Sequence, residues 1–290
     1  MSASPPPLQP ERETAEVPTC FRHPDRETYV RCSRCDRPIC PDCMREAAVG
    51  FHCVECVAAG NRGVREARTT FGGRMTSRPY VTWALLGLMA AGFLLQQVNP
   101  AITQQFGMWG GGVLLYGQWY RLLTAAFLHG GITHLLFNGF AMYILGPQLE
   151  RWLGHGRYLS LWVLSAIGGS VLSYLFVPGQ LSVGASGAIF GMFGAILIVG
   201  RRLRLDTRFI LGLLVVNLLI TFLVPAISWT AHIGGLITGL VLGATYAYLP
   251  RGAGQADGGQ TRTIVHVAVT AGFAVLLAAV AVVWTFVILG

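Results

Sequence analysis

Seven stretches of this chain are apolar and long enough to be helices that cross a membrane, and that fixes most of what it can become. A hydrocarbon core of about 30 Å takes roughly 20 apolar residues in a helix. Scanning on that basis predicts spans near 80–98, 127–148, 156–177, 184–200, 208–224, 228–249 and 264–288. With no water in the bilayer to satisfy the backbone, spanning segments of this length and composition must be helical. The expected class is an all-α polytopic membrane protein.

Charge is distributed to match. Only 12% of the residues are charged, against roughly 25% for a soluble domain. Residues 1–78 hold twelve of the 21 arginines and ten of the 13 acids; residues 79–290 hold the other nine arginines and three acids. There is no lysine, so the net charge of +8 is carried by arginine alone. Arg151 and Arg157 fall between spans two and three, Arg201, Arg202, Arg204 and Arg208 after span four, and Arg251 and Arg262 between spans six and seven. A cytoplasmic N-terminus puts all of these inside and leaves Arg121 alone outside, so 20 of the 21 arginines obey the positive-inside rule. The expected localisation is therefore a multi-pass inner membrane protein, bacterial, with its C-terminus extracytoplasmic.

In this topology spans two, four and six enter from the outer face, and their first turns share a depth. Span two begins "LHGGITHLLFNGF", with His129, His134 and Asn138; span four begins "GASGAIFG", with Ser186; span six begins "SWTAHIGGLITGL", with His232. Polar groups in lipid are costly and turn toward the bundle interior or water. His134 and Asn138, four apart, share a helix face, as do Ser186 and Phe190. Gly235, Gly239 and Gly243 of span six can meet Gly187 and Gly191 of span four in a small-xxx-small contact, which would bring Ser186 and His232 together. A serine hydroxyl is a weak nucleophile until a histidine accepts its proton. The oxyanion that then forms needs donors, and His134, Asn138 and the Ser186 N–H are suitable ones. Glu150, Asp206 and Asp257 all lie toward the cytoplasmic side, so a Ser-His-Asp triad is excluded and a Ser-His dyad is expected. His129 is expected to tie down a loop, His155 and His266 to be incidental, and Asn217 to make a helix-helix hydrogen bond. Residues 99–126, with Trp109, Tyr116, Trp119 and Tyr120, are expected to form a loop partly embedded in the membrane.

Taken alone, a GxSG tetrapeptide in an apolar helix signals close packing more often than catalysis. The combination of motifs resembles the rhomboid intramembrane serine proteases, over about residues 79–250. "GASG" matches the family's nucleophile at Ser186, "AHIGG" its base at His232, and "HGGITHLLFN" its oxyanion residues at His134 and Asn138. "GQWYRLLTAAFLH" resembles the family's first-loop motif, with Tyr120 before Arg121 where a Trp-Arg pair is usual, and Phe190 stands where a tyrosine often follows the serine. The resemblance implies a six-helix core with a seventh C-terminal helix, cleavage of membrane-anchored protein substrates within the lipid bilayer, and no cofactor for catalysis. The alternative reading is a catalytically silent membrane adaptor that recruits partners through its N-terminal region.

That region concentrates all seven cysteines between Cys20 and Cys56. They fall in pairs with x2 spacing: Cys20 with His23, Cys32 with Cys35, Cys40 with Cys43, and Cys53 with Cys56. Eight ligands suffice for two tetrahedral zinc ions in closed, structural sites, and a reducing compartment disfavours disulfides. The segment resembles a B-box-type zinc finger, which implies that alternate pairs share an ion: Cys20, His23, Cys40 and Cys43 one, and Cys32, Cys35, Cys53 and Cys56 the other, with His52 as a substitute ligand for the second. Metal binding would supply folding free energy that so small a core lacks. A cytoplasmic protein is the expected partner of this finger. Asp25, Glu27, Asp36 and Asp42 interleave with the arginines and disfavour nucleic acid. The domain boundaries follow: a disordered tail over 1–18, the double zinc finger over 19–58, a basic juxtamembrane linker over 59–78, the rhomboid-like core over 79–250, and a loop with the seventh span over 251–290.

Overall fold

The computed structural model describes residues 17–62, 69–72, 75–76, 78–250 and 258–290, without the side chains of 258 and 259. Nearly all of the expected N-terminal tail, just under half of the linker, and the glycine-rich loop after span six with Arg251 and Asp257 lie outside the described residues. The chain divides into two units, Met1–Glu66 and Ala67–Gly290.

In the first unit, β1 (Thr19–Cys20) pairs antiparallel with β2 (His23–Glu27). Strand β3 (Met44–Glu46) pairs antiparallel with β4 (Phe51–Cys53), which runs into helix α1 (Val54–Arg62). The buried centre is Cys20, Cys32, Cys40, Cys43 and Cys53 around a single aliphatic residue, Ile39. A core this small cannot offset the entropy of ordering the chain by burial alone. Three arginines of this unit are paired locally: Arg26 with Asp42, Arg31 with Asp36 and Arg37 with Glu55.

In the second unit, helix α2 (Tyr80–Val98) is followed by three short helices, α3 (Ala101–Phe106), α4 (Gly110–Tyr116) and α5 (Arg121–Thr124). Six long helices follow: α6 (Ile132–Leu153), α7 (His155–Phe176), α8 (Ser186–Arg202), α9 (Arg208–Leu223), α10 (Trp229–Tyr248) and α11 (Gly258–Leu289). Every predicted span is thus a helix, with ends shifted by a few residues. Among the described residues, α2, α7, α10 and most of α11 are long and apolar enough to cross a membrane, and α9 is apolar but shorter. Helices α6 and α8 do not reach that standard. α6 is diluted by His134, Asn138, Gln148, Glu150 and Arg151, and α8 has 17 residues, four of them glycine.

Burial explains the shortfall of α8. Every residue from Gly187 to Ile196 is buried, so α8 is the central helix and meets protein on all sides. In contrast, 11% of the most apolar window of α11 and 22% of that of α2 are buried, against 61% for α7 and α10. Helices α2 and α11 are therefore peripheral, and their apolar faces are suited to lipid. Polar clamps hold α11 against the bundle: Tyr174 to Thr285 at 2.8 Å, Tyr246 to Thr270 at 3.0 Å, and Arg157 Nε donating to His266 Nδ1 at 2.8 Å. The other ring nitrogen of His266 is 2.8 Å from the Leu249 carbonyl. His266 is therefore a structural link and not incidental.

Glu150 departs further from expectation. It lies inside α6, wholly buried. Its carboxylate accepts from the backbone N–H groups of Val81 and Thr82 at 2.9 Å each, from the Thr82 hydroxyl at 2.6 Å, and pairs with His155 Nδ1. It thus caps the first turn of α2 from a neighbouring helix, where a negative charge meets unpaired donors and the positive end of the helix dipole. Apolar burial around an ionised group demands such partners. The sequence hid this because α6 runs one turn longer than its apolar stretch. Phe71, from the expected linker, is buried in the core of this unit, and Thr69–Gly72 closes a turn through a 2.8 Å backbone bond. Replacing Glu150 by alanine strands two backbone donors and leaves the Thr82 hydroxyl only the Tyr158 oxygen at 3.2 Å; it is expected to destabilise the protein by about 2–4 kcal/mol, read by thermal unfolding in detergent, and Glu150→Gln, which keeps an acceptor, is expected to lose less.

Candidate active site and metal clusters

The loop between α2 and α6 is a scaffold built on Arg121. This residue is 4% exposed, and its guanidinium donates to the carbonyls of Gln104 and Gly107 at 2.7 Å each and to Gln118 Oε1 at 2.6 Å. The loop then pairs with the segment preceding α8: Met108 and Ser182 exchange two backbone bonds of 2.9 Å, and Gly184 N–H donates to the Ala125 carbonyl at 2.9 Å. Those bonds set where α8 begins. Ser186 is its first residue, Ala185 precedes it without a side-chain cap, and the first intrahelical bond runs from Ile189 N–H to the Ala185 carbonyl. The N–H groups of Ser186, Gly187 and Ala188 thus precede the helical ladder, at the positive end of the helix.

Residues from α6 meet this start. Gly184 adopts φ +128°, and a Cβ there would lie 2.7 Å from both Cε1 and Nε2 of His134 and 3.5 Å from Asn138 Nδ2. Glycine is required on both counts. Gly130 N–H donates to His134 Nδ1 at 3.4 Å, which leaves the ring hydrogen on Nε2, the nitrogen beside Gly184. Asn138 is 7% exposed, and its Nδ2 has no hydrogen-bond partner among the described residues. Two donors with unused capacity converge two residues before Ser186. His129 takes the structural part expected of it, through its backbone: Gln96 Oε1 accepts from its N–H at 2.9 Å and Gln96 Nε2 donates to its carbonyl at 3.2 Å. Its ring packs edge-on against His134, with centroids 5.2 Å apart.

Helix α10 brings His232. A Cβ on Gly235 would overlap the Gly187 carbonyl, one on Gly239 the Gly191 carbonyl, and one on Gly243 would lie 2.9 Å from Ala195 Cα. The two backbones touch along the seam that the glycine spacing predicts. The His232 ring stacks on Phe190, centroids 4.0 Å apart and planes 15° apart. Phe190 is one turn beyond Ser186 on the same face of α8, so the imidazole sits over the first turn of that helix. Ser186 Oγ and His232 are not hydrogen-bonded to each other among the described residues. His232 Nδ1 is instead 2.7 Å from the Thr221 hydroxyl on α9. The start of α10 is fixed by Ser228, which accepts from Ala231 N–H at 3.3 Å, and by a 2.8 Å bond between Ser173 and Thr230. Asn217 donates to the Leu213 carbonyl within its own helix and not across to another.

Thr221 was not legible beforehand, because a lone threonine in an apolar helix has no distinguishing pattern. A hollow of about 830 Å³ between α7, α10 and α11 is lined by His155, Arg157, Tyr246 and His266, among others. It lies on the order of 20 Å along α10 from His232 and takes no part in this constellation.

In the N-terminal unit the eight predicted ligands gather into two groups, Cys20, His23, Cys40 and Cys43, and Cys32, Cys35, Cys53 and Cys56, with ligand atoms within 4.8 Å of one another in each. His52 belongs to neither group. Each group could hold a metal ion. Burial raises the Cys20 thiol, but backbone donation from Cys40 and Arg22 and the His23 side chain outweigh it and bring it down to about 6. Burial likewise opposes ionisation of Cys32, yet the N–H groups of Cys53, Arg34 and Cys35 lower it to about 6. Burial, then crowding by Cys20 and Cys40, pushes Cys43 up to about 11, and hydrogen bonding with Cys53 and Cys35 pushes Cys56 up to about 12. Cys40 and Cys35 are lowered as well, so each group sets two thiols that ionise easily beside one held protonated by its neighbours, an imbalance that a cation among them would relieve.

These features define a polytopic membrane protein with serine, histidine and asparagine side chains gathered at the ends of three helices. The chain carries a Rhomboid domain, matched by that family's model over residues 116–249. It is 37% identical over 186 residues to the Rhomboid protease GluP of Bacillus subtilis (strain 168), covering 61% of this chain and 36% of that protein. It is 38% identical over 135 residues to the Putative rhomboid protease YdcA of the same organism, covering 43% and 66%. It is 42% identical over 132 residues to RHOMBOID-like protein 6, mitochondrial, of Arabidopsis thaliana, covering 43% and 42%. The chain thus spans about a third of the length of GluP and just under two thirds of YdcA.

The glycine seam carries a direct expectation. Gly239→Leu forces α8 and α10 apart and is expected to destabilise by about 3 kcal/mol or more. Gly212→Leu on α9, where a Cβ meets nothing within 4 Å, is expected to leave the unfolding midpoint near that of the parent.

Proposed function

We propose that this chain is an intramembrane serine endopeptidase that cuts membrane-anchored proteins with Ser186 as nucleophile and His232 as general base. The observation that carries the reading is the buried, unpartnered Asn138 amide beside His134 Nε2, both aimed at the start of α8, with the His232 ring stacked one turn further along. A buried donor left unpaired costs about 1–3 kcal/mol, so its persistence suits a group that is satisfied only when an oxyanion arrives.

The chemistry follows from the side chains. His232 Nε2 takes the Ser186 hydroxyl proton as Oγ attacks the scissile carbonyl, and negative charge develops on the carbonyl oxygen. His134 Nε2–H, Asn138 Nδ2–H and the Ser186 N–H donate to that oxygen. Collapse expels the amine fragment, which takes the proton from His232. Water then gives a proton to His232 and attacks the acyl-Ser186 ester; a second collapse frees the carboxylate fragment and returns the proton to Oγ. Closure of the Ser186–His232 bond on substrate binding is in keeping with catalytic hydrogen bonds that are looser in the free enzyme. Both Bacillus relatives are named as rhomboid proteases, which supports the reading.

The arginine distribution supports an N-terminus in the cytoplasm and a C-terminus outside a bacterial inner membrane. The two cysteine-rich groups suit zinc, since thiolate and imidazole in fours favour tetrahedral, fully protein-ligated sites. Zinc there would fasten the strand pairs, and the finger would recruit a cytoplasmic protein; catalysis takes no cofactor.

Purified protein is expected to cleave a model transmembrane substrate. Ser186→Ala is expected to lower the rate about a thousandfold or more without changing the unfolding midpoint. Equal cleavage by both proteins removes the nucleophile, and binding of the substrate without cleavage by the unaltered chain turns the reading to an adaptor. For the finger, elemental analysis is expected to give two zinc ions per chain and Cys43→Ser one; chelation is expected to unfold the N-terminal unit, read by its loss of resistance to limited proteolysis.

A further inference from the structure

We infer that Thr221 is a positioning residue for the base, holding His232 in the tautomer that leaves Nε2 free to accept a proton. The inference rests on the dyad reading above and deepens it.

The argument is an inventory of hydrogens. Thr221 Oγ1 is 2.7 Å from the Asn217 carbonyl oxygen and 2.7 Å from His232 Nδ1. Two oxygens at that separation need a proton between them, and a carbonyl has none to give. The one hydroxyl hydrogen of Thr221 is therefore spent on Asn217, in the back-bonding that threonine makes to the residue four before it in a helix. Oγ1 faces His232 with a lone pair, and Nδ1 must supply the hydrogen. A neutral imidazole protonated at Nδ1 carries its lone pair on Nε2, and a ring in the opposite tautomer would be no base for Ser186.

The restraint is twofold. Phe190 fixes the plane of the ring at 4.0 Å, and Thr221 fixes which edge faces α9. Thr221 is 3% exposed and His232 6%, so water does not compete freely for either group. Thr221 and Leu214 are the two buried residues of α9, a largely apolar helix most of whose other residues are exposed. A buried hydroxyl calls for partners on both its hydrogen and its lone pairs; here the hydrogen goes to the Asn217 carbonyl and a lone pair to the imidazole. The side chain fills the orienting position that a carboxylate occupies in a triad, without a charge.

The test uses the full chain in detergent and a model transmembrane substrate. Thr221→Val keeps the shape and removes the hydroxyl; it is expected to lower kcat about three- to tenfold with KM nearly unchanged, the scale of one neutral hydrogen bond. Thr221→Ser restores the hydroxyl and is expected to recover kcat to within about twofold of the parent. Nitrogen-15 shifts of the His232 ring are expected to report the Nδ1–H form in the parent and in Thr221→Ser, and a tautomer mixture in Thr221→Val. An unchanged kcat in Thr221→Val overturns the role. So does a Thr221→Ser enzyme as slow as Thr221→Val, which would make the methyl group and not the hydroxyl the working part, or an Nε2–H ring in the parent. Ser186→Ala measured alongside separates the two levels: cleavage that survives there removes the dyad itself, whereas cleavage lost there and intact in Thr221→Val overturns only the role of Thr221.

Discussion

The membrane unit depends on one close approach, the backbone contact of α8 with α10 through Gly187, Gly191, Gly235 and Gly239. In lipid there is little hydrophobic gain from bringing two apolar helices together, so association draws on dispersion and on contacts that only small residues permit. The seam also fixes a register. Gly235 against Gly187 puts His232, almost one turn earlier on α10, beside the first turn of α8, where its ring meets Phe190. Packing and site geometry are the same fact here: helices at an ordinary separation would hold neither.

The polar groups of the bundle fall into two kinds. Glu150, Arg121 and His266 are buried and partnered: a carboxylate capping α2, a guanidinium gathering loop carbonyls, and an imidazole joining α11 to Arg157 and Leu249. Each satisfies backbone or side-chain groups that hydrocarbon would leave stranded. Asn138 Nδ2 is buried without a partner. The ring nitrogens of His129, Trp162 Nε1, Ser165 Oγ, Arg262 Nε and Trp284 Nε1 are also buried without a partner among the described residues; Asn138 Nδ2 is set apart by its place beside Gly184, two residues before Ser186.

The N-terminal unit is held by a different physics. Its centre is sulfur and one isoleucine, too little apolar surface to support short strand pairs. Its thiols are pulled down at Cys20 and Cys32 and pushed up at Cys43 and Cys56. Such a cluster, built from neighbouring loops, suits an ion at its centre more than a chain without one. Three of the arginines around it, Arg26, Arg31 and Arg37, pair with Asp42, Asp36 and Glu55.

Local and periodic signals were legible from the chain alone. Apolar length marked the seven helices, glycine spacing the α8–α10 seam, and paired spacing the eight metal ligands, because each depends on residues a few positions apart and on a period the backbone imposes; the division of the ligands into two groups came from the B-box resemblance. Motif resemblance pointed to Ser186, His232, His134 and Asn138 as one constellation. What only the tertiary structure decided was the identity of partners distant in sequence. Glu150 caps a helix that begins about 70 residues earlier, Arg121 collects carbonyls across a loop, and Thr221 finds His232 from another helix. A hydrogen bond between helices is set by their rotation and depth, which follow from packing every side chain at once, and no local pattern of residues records that outcome.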